Sequence, residues 1–148
     1  MKKVLMISIL MVIGSTISFA QASKNIHQLF TMKESIEKLN INVPSSNIQI
    51  KKVKSSRIRV EITVKLETPN LNMLEFLIDK GRYELVQETN NLETELSISS
   101  KKNNNVIIIK GKECKEELSY IVYIPESIEQ VSAMSLETGE RAVVAIDN

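Results

Sequence analysis

Apolar and polar residues alternate along most of the chain after residue 37. In the longest alternation, residues 57–67, charged or polar side chains occupy every second position. The apolar positions between them are Ile58, Val60, Ile62, Val64 and Leu66. A period of two directs alternate side chains to opposite faces of a strand, so the pattern predicts one buried face and one face in water. This arrangement is typical of antiparallel or mixed sheets.

Shorter segments predict further strands. Residues 39–43 and 48–50 flank a Pro-Ser-Ser-Asn turn sequence, and residues 118–124 alternate until Pro125 ends the strand. The continuous apolar run 106–109 predicts a central strand buried on both faces.

A hairpin is predicted between residues 83–88 and 92–99. The Asn90-Asn91 pair between these segments tolerates the positive φ angles of a tight turn. Near the end of the chain, residues 143–146 predict a last short strand.

One helix is predicted near residues 70–80, where the apolar period changes. Thr68 is expected to cap it, Pro69 to occupy its first turn, and Gly81 to follow its end. Its apolar stripe consists of Leu71, Leu74 and Ile78. The sequence therefore predicts a mainly β fold: a sandwich of antiparallel or mixed sheets, or a short incipient β-solenoid, with one covering α-helix.

The first 22 residues have the pattern of a signal peptide. Lys2 and Lys3 precede an apolar run over residues 4–13, and small residues follow at Ala20 and Ala22. The apolar run is shorter than the roughly 20 residues that span a bilayer, which disfavours the alternative of a permanent anchor. We predict cleavage after Ala20 or Ala22 and export to the periplasm, the cell surface or the medium.

The remaining chain is predicted to form one domain. Residues 23–37 are expected to be a polar, partly disordered lead-in, and residues 38–148 a single β-rich domain. Loss of Lys2 and Lys3 with the signal leaves 17 basic against 18 acidic residues, a net charge of −1. This balance gives no long-range attraction to nucleic acid, and no transmembrane segment is predicted after signal removal.

Candidate chemistry is sparse. Cys114 is the single cysteine, so an internal disulfide is excluded, and its charged neighbours predict an exposed thiol. His27 is the single histidine and lies in the lead-in, which argues against a zinc site or a Ser-His-Asp triad. No catalytic, cofactor-binding or metal-binding residue is therefore predicted. Glu93 and Glu95, on one face of a predicted strand, leave a glycan-processing enzyme as an alternative.

The most prominent charge cluster is basic, and we define it as the basic patch. It has two interpretations: a site for an anionic glycan or envelope lipid phosphates, or a solvated turn and strand face. Its members are Lys51, Lys52, Lys54, Arg57 and Arg59.

The order of these segments resembles the N-terminal portion of the putative-adhesin family of exported bacterial proteins, a family of unknown function. The resemblance covers residues 39–128, and it is carried by the strands at 39–43, 47–50, 57–64 and 118–128 together with the helix and hairpin between them. It implies a head-domain or β-solenoid fold without catalytic residues. Family members continue with glycine-containing strand repeats, of which this chain has only Thr138-Gly139.

The sequence thus predicts a non-enzymatic exported β-rich domain, a binding or structural module of the bacterial cell envelope. Its expected partner is an envelope component or a glycan. A further alternative is an assembly subunit that pairs through its C-terminal edge strand, with itself or with another chain.

Overall fold

The computed structural model describes residues 21–45, 47–101, 106–136 and, for the backbone alone, 145–147. Within these residues the chain forms eleven strands and one helix. The elements are β1 (Ala22–Thr31), β2 (Lys38–Val43), β3 (Ile48–Val53), β4 (Arg57–Leu66), α1 (Leu71–Asp79), β5 (Leu85–Thr89), β6 (Glu95–Ser100), β7 (Ile107–Ile109), β8 (Lys112–Cys114), β9 (Glu116–Pro125), β10 (Gln130–Ser135) and β11 (Ala145–Asp147).

The strands form two larger mixed sheets and a small hairpin. The five-stranded sheet has the order β1-β4-β9-β3-β11, and the four-stranded sheet has the order β10-β2-β6-β5. In the first, β4 is antiparallel to β1 and β9, while β3 is parallel to β9 and β11. In the second, β2 is parallel to β10 and β6, and β5 is antiparallel to β6. The prediction of a mainly β fold with mixed sheets is confirmed.

The core lies between the two sheets. The five apolar side chains of β4 that alternate in sequence are all at most 1% exposed. They share one core cluster with Leu39 and Ile41 of β2 and with Leu96 and Ile98 of β6. Tyr120 of β9 is the largest fully buried side chain among the described residues. The period of two therefore identified the buried faces of β2, β4 and β9.

The chain crosses from one sheet to the other immediately after β2. Ser45, in the turn between β2 and β3, is buried; its hydroxyl donates to Leu118 O (2.6 Å) and accepts from Asn47 N (3.0 Å). This turn is thereby fixed to β9. β10 and β11 lie one strand further out, parallel to β2 and β3 respectively. The two parallel pairs have the stacking of an incipient solenoid beside the sandwich.

The helix lies where the period predicts it but begins later than expected. Asn70 is the N-cap, and its side chain accepts from Met73 N at 3.0 Å. Thr68 and Pro69 precede the helix, so the predicted cap was wrong. Gly81 follows the helix end with φ 73°, as predicted. α1 packs against β1, and Leu74 is its fully buried residue.

The lead-in is ordered over most of its length, so its predicted partial disorder was wrong. Ala22–Thr31 forms a ten-residue strand that pairs with β4 from Ala22↔Leu66 to Thr31↔Arg57. The alternation was weak because the inner face of β1 includes Lys24 and Gln28, which interact with α1 and β5. Residues 1–20 of the predicted signal lie outside the described part of the chain, and the signal and domain boundaries stay predictions.

Three local predictions were corrected by the structure. The hairpin of β5 and β6 exists, but its turn spans residues 90–94, with positive φ at Glu93 rather than at Asn90-Asn91. The run 106–109 is not a central strand: β7 pairs with β8 alone, and Ile108 is 60% exposed. Cys114, on β8 opposite Ile107, is buried rather than exposed.

The predicted strand at 143–146 corresponds to β11, although residues 143 and 144 are outside the described part.

Candidate functional site

The basic patch lies at one end of the five-stranded sheet, and the structure divides it. Arg57 and Arg59 belong to β4 and project from its outer face, and Lys51 belongs to β3. Lys52 is the next residue of β3 and therefore lies on the opposite face of the strand from Lys51. Lys54 lies in the turn between β3 and β4. The sequence therefore identified the residues that share this end of the sheet, but they do not form one continuous cationic face.

Tyr123 of β9 joins two members of the patch. It is in register with Arg59 on one neighbouring strand and with Lys51 on the other. The guanidinium carbon of Arg59 is 4.1 Å from the centre of the Tyr123 ring, and Lys51 Nζ is 5.9 Å from it. Cation–π attraction of this kind positions both cations across three adjacent strands. We call Lys51, Tyr123 and Arg59 the cationic row.

A carboxylate lies directly beside the cationic row. Glu61 Oε1 is 3.5 Å from Arg59 Nη2 and 3.6 Å from His27 Nδ1. Tyr123 donates its hydroxyl proton to Glu61 Oε2 at 3.3 Å. Glu61 thus holds Arg59 and the Tyr123 ring in place, while the Arg59 side chain stays 47% exposed. His27 lies on β1, and its side chain is 58% exposed.

A cleft of about 580 Å³ adjoins the row at the end of the sandwich. The end of β1, the β3–β4 turn, the start of β4 and the β9–β10 turn converge there. It is lined by Thr31, Met32, Glu34, Ser55, Ser56, Arg57 and Ser127. Arg57 belongs to both the basic patch and the cleft. No local sequence pattern indicates Ser127 or Glu34, because these residues are brought to Arg57 by strand order alone.

The two carboxylates considered for glycan processing occupy separate environments. Glu93 lies in the β5–β6 turn, where it forms an ion pair with Lys33. Glu95 is the first residue of β6, 3.4 Å from Lys38 Nζ, and it accepts from the Asn40 amide. Glu93 therefore joins the β5–β6 turn to the β1–β2 loop, and Glu95 joins β6 to β2. Neither lines the cleft.

A third cluster connects the end of α1 with the start of β9. Arg82 donates to both carboxylate oxygens of Glu116, at 3.1 and 2.9 Å, and Tyr83 donates to Glu116 Oε2 at 3.0 Å. The side chains of Arg82 and Glu116 are 14% and 9% exposed. The hydrogen bond to Glu116 raises the pKa of Arg82, and burial, followed by the Glu116 charge, raises the pKa of Tyr83 well above its usual range. This geometry is typical of a structural ion pair.

Neither a metal-binding cluster nor a membrane-spanning helix occurs among the described residues. No group of three or more His, Cys, Asp or Glu side chains is arranged to hold a metal ion in this part of the chain. Over the same residues, α1 is too short to cross a bilayer as a hydrophobic helix, and no longer helix occurs.

Comparison with known proteins gives one distant likeness. No family model matches the chain, and no curated protein matches it. A solved structure described as a "putative cell adhesion protein" from Clostridium sporogenes aligns with 75% of this chain, at 14% sequence identity and a TM-score of 0.42. The chain spans about half the length of that protein, since the alignment covers 47% of it. No family is therefore shown for this chain.

Proposed function

We propose that this protein is an exported, non-enzymatic binding module of the bacterial cell envelope, which holds an anionic partner at the outer face of its five-stranded sheet. The observation that carries the proposal is the cationic row: Lys51 and Arg59 lie on the two strands on either side of β9, and the Tyr123 ring between them holds both. Fixed, partly exposed cations bind an anion with a smaller loss of side-chain entropy than mobile lysines do.

The alternative interpretation, that the patch is only a solvated turn and strand face, explains its exposure. It does not explain why Lys51 and Arg59 both lie over the Tyr123 ring. Glu61 neutralises part of the charge of Arg59. Lys51, Lys52 and Lys54 form no ion pair with any side chain that the structure describes. Among the described side chains, the cations of the patch therefore outnumber the one carboxylate paired with them, although the chain as a whole is near neutral.

The proposal is tested by titrating the purified chain with inorganic polyphosphate, in calorimetry at low and at physiological ionic strength. We expect binding that weakens with salt, and a loss of about tenfold or more in affinity for the double variant Lys51→Gln/Arg59→Gln. The matched control is Lys65→Gln/Lys112→Gln, which changes the net charge equally. Lys65 lies about 20 Å along β4 from Arg59. Equal losses in the two double variants would reduce the effect to overall charge and contradict the proposal.

A second candidate function, an assembly subunit, is favoured by the edge formed by β10 and β11. Each is the last strand of its sheet on that side, and Met134 and Leu136 near it are 38% and 49% exposed. An edge strand offers backbone groups to another chain, and exposed apolar side chains add to the contact.

Oligomeric state distinguishes the two candidates. Light scattering after size exclusion should show a smaller particle when residues 141–148 are deleted, or when Met134→Lys adds a charge at this edge. Leu92→Lys is the matched control, because Leu92 is 80% exposed in the β5–β6 turn. A wild-type chain that is monomeric at every concentration would rule out self-assembly through this edge.

A further inference from the structure

The cleft is lined by one cation, Arg57, and one carboxylate, Glu34, which do not form an ion pair with each other. Arg57 and Glu34 both line it, and neither forms an ion pair with another described residue. Arg59, two residues along the same strand, is by contrast engaged with Glu61 and Tyr123. The guanidinium of Arg57 is thus the member of the patch that is free to receive an anion inside a concave site.

The backbone around Arg57 is fixed. Ser55 Oγ accepts from Arg57 N and donates to Arg57 O, both at 3.1 Å, and Ser55 N donates to Val53 O at 3.0 Å. Thr31 is the register partner of Arg57 on β1. The arginine therefore follows a hydrogen-bonded turn, and its Cα position is fixed by the pairing of β4 with β1.

Hydroxyl groups form most of the remaining lining. Thr31, Ser56 and Ser127 come from three separate segments, and each offers a donor and an acceptor. Met32 is the one apolar lining residue. The four hydroxyls and the two opposite charges of the lining suit a ligand that carries its own hydroxyls and an acid group. A volume of about 580 Å³ is in the range of sites for one or two sugar rings.

We infer that this cleft binds an acidic sugar unit, with Arg57 on the acid group, Glu34 accepting hydrogen bonds from ring hydroxyls, and Thr31, Ser56 and Ser127 completing the polar contacts. The inference rests on the proposed function, because Arg57 also belongs to the basic patch. It names the chemistry of the anionic partner as a saccharide, whose acid group is a carboxylate or a phosphate ester. The cationic row then contacts the anionic groups of neighbouring units.

The test uses the isotope-labelled chain and three small probes: a disaccharide of glucuronic acid and N-acetylglucosamine, its methyl ester, and glucose 1-phosphate. In amide spectra we expect the acidic disaccharide or the sugar phosphate to shift the signals of Thr31, Ser56, Arg57 and Ser127. The probe that binds identifies the acid group. We expect the methyl ester to bind about tenfold more weakly than the acid if the carboxylate is recognised.

Variants separate the cleft from the cationic row. Arg57→Gln and Glu34→Gln should each weaken binding of the small probe about tenfold, and Ser56→Trp should abolish it by filling the cleft. Arg59→Gln should lower the affinity for polyphosphate more than the affinity for the small probe, whereas the control Lys65→Gln should leave the small-probe affinity within about twofold. Folding of each variant is checked by its amide spectrum, since all the altered side chains are exposed.

The outcomes distinguish this inference from the proposed function. Shifts confined to Lys51, Arg59 and Tyr123 would overturn the cleft as the sugar site and leave the anion-binding proposal standing. Equal binding of inorganic phosphate and glucose 1-phosphate at the cleft would overturn the saccharide chemistry. Absence of binding by both the small probes and polyphosphate would overturn both.

Discussion

The two lateral edges of the sandwich are closed to very different degrees. On one side, edge strands β1 and β5 are joined through Gln28, whose amide donates to Tyr83 O (2.9 Å) and accepts from Leu85 N (3.0 Å). The helix α1 packs on β1 at the same side, and Lys24 forms an ion pair with Glu75 of α1 at 2.7 Å. On the other side, β10 and β11 are outermost and parallel to their neighbours. One edge is closed by side chains and a helix, and the other has the geometry of a site for further strands.

The difference shows how a chain of this size controls its strand edges. An uncovered edge strand promotes aggregation, and natural proteins cover such strands unless the edge pairs with another chain as part of its function. Here the covering elements are concentrated on the side of β1 and β5. We therefore expect stability to depend on the closed edge and association to depend on the open one.

The largest effect is expected from breaking the ion pair next to the closed edge. Arg82→Met leaves the Glu116 carboxylate largely buried without its guanidinium partner, which should lower the free energy of unfolding by about 4 kcal/mol. Chemical denaturation measures this. Adding Glu116→Gln to the same chain should recover much of the loss, because the amide needs no counter-charge. No recovery would show that packing, rather than charge, is lost.

Removing the contact of α1 with the core should cost slightly less. Leu74 is fully buried, and Leu74→Ala is expected to lower the free energy of unfolding by about 3 kcal/mol. The matched control on the same helix is Phe76→Ala, since Phe76 is 54% exposed and should change stability by less than about 0.5 kcal/mol. Equal effects would show that α1 does not cover the edge as described.

The bridge between the two sheets gives the next effect. Gln28→Ala removes the partner of both Tyr83 O and Leu85 N, and we expect a loss of about 2 kcal/mol. Hydrogen exchange should also become faster at Leu85 without a comparable change at Ala133 of β10. Uniform acceleration in both strands would mean that the bridge acts on the whole fold instead of on one edge.

Alkaline pH is expected to destabilise the closed edge in particular, because Tyr83 lies beside it. Its pKa in the folded chain is raised above the ordinary value of 10.0, so folding favours the neutral phenol. The corresponding stability is complete below pH 10 and is lost as the pH rises above it, at up to about 1.4 kcal/mol for each pH unit. Tyr83→Phe should flatten this part of the pH profile in thermal unfolding. An unchanged slope would assign the loss to other groups.

The smallest effect on stability is expected at the open edge. Deleting residues 141–148 removes β11, which has three residues and pairs with β3 alone in the five-stranded sheet. We expect the free energy of unfolding to fall by less than about 1 kcal/mol. A loss as large as that of Leu74→Ala would mean that this edge, too, is part of the stable core.

Strands and their buried residues could be predicted wherever one face of the strand is buried and the other faces solvent. β4 and β9 satisfy this condition over their whole length, and their buried residues were identified from the period alone. β1 was missed because its inner face mixes Ala22 and Phe30 with polar residues that contact α1 and β5. The run 106–109 and Cys114 were misjudged because a two-residue turn at Lys110 and Gly111, both with positive φ, folds β7 and β8 together in a separate hairpin.

The candidate site was predictable in part. The cations of the basic patch are close in sequence, so their shared end of the sheet followed from the short turn that connects β3 to β4. Tyr123 is more than 60 positions away from Arg59, and its place between the cations depends on the order β4-β9-β3. The cleft combines four segments for the same reason. Nothing in the local pattern encodes that order.

The parallel pairing of β10 with β2 also bears on how quickly this chain folds. Gln130 and Lys38 are register partners 92 positions apart, and β2 separates β10 from the rest of its sheet. Pairing between such distant segments makes folding slow, because loop-closure entropy is lost before the contacts form. The C-terminal part of the chain must therefore be synthesised before the four-stranded sheet can be completed. Slow completion suits the export that we propose, in which the polypeptide stays extended while it passes through a translocation channel, and the folding rate of this sheet then becomes a property on which that export depends.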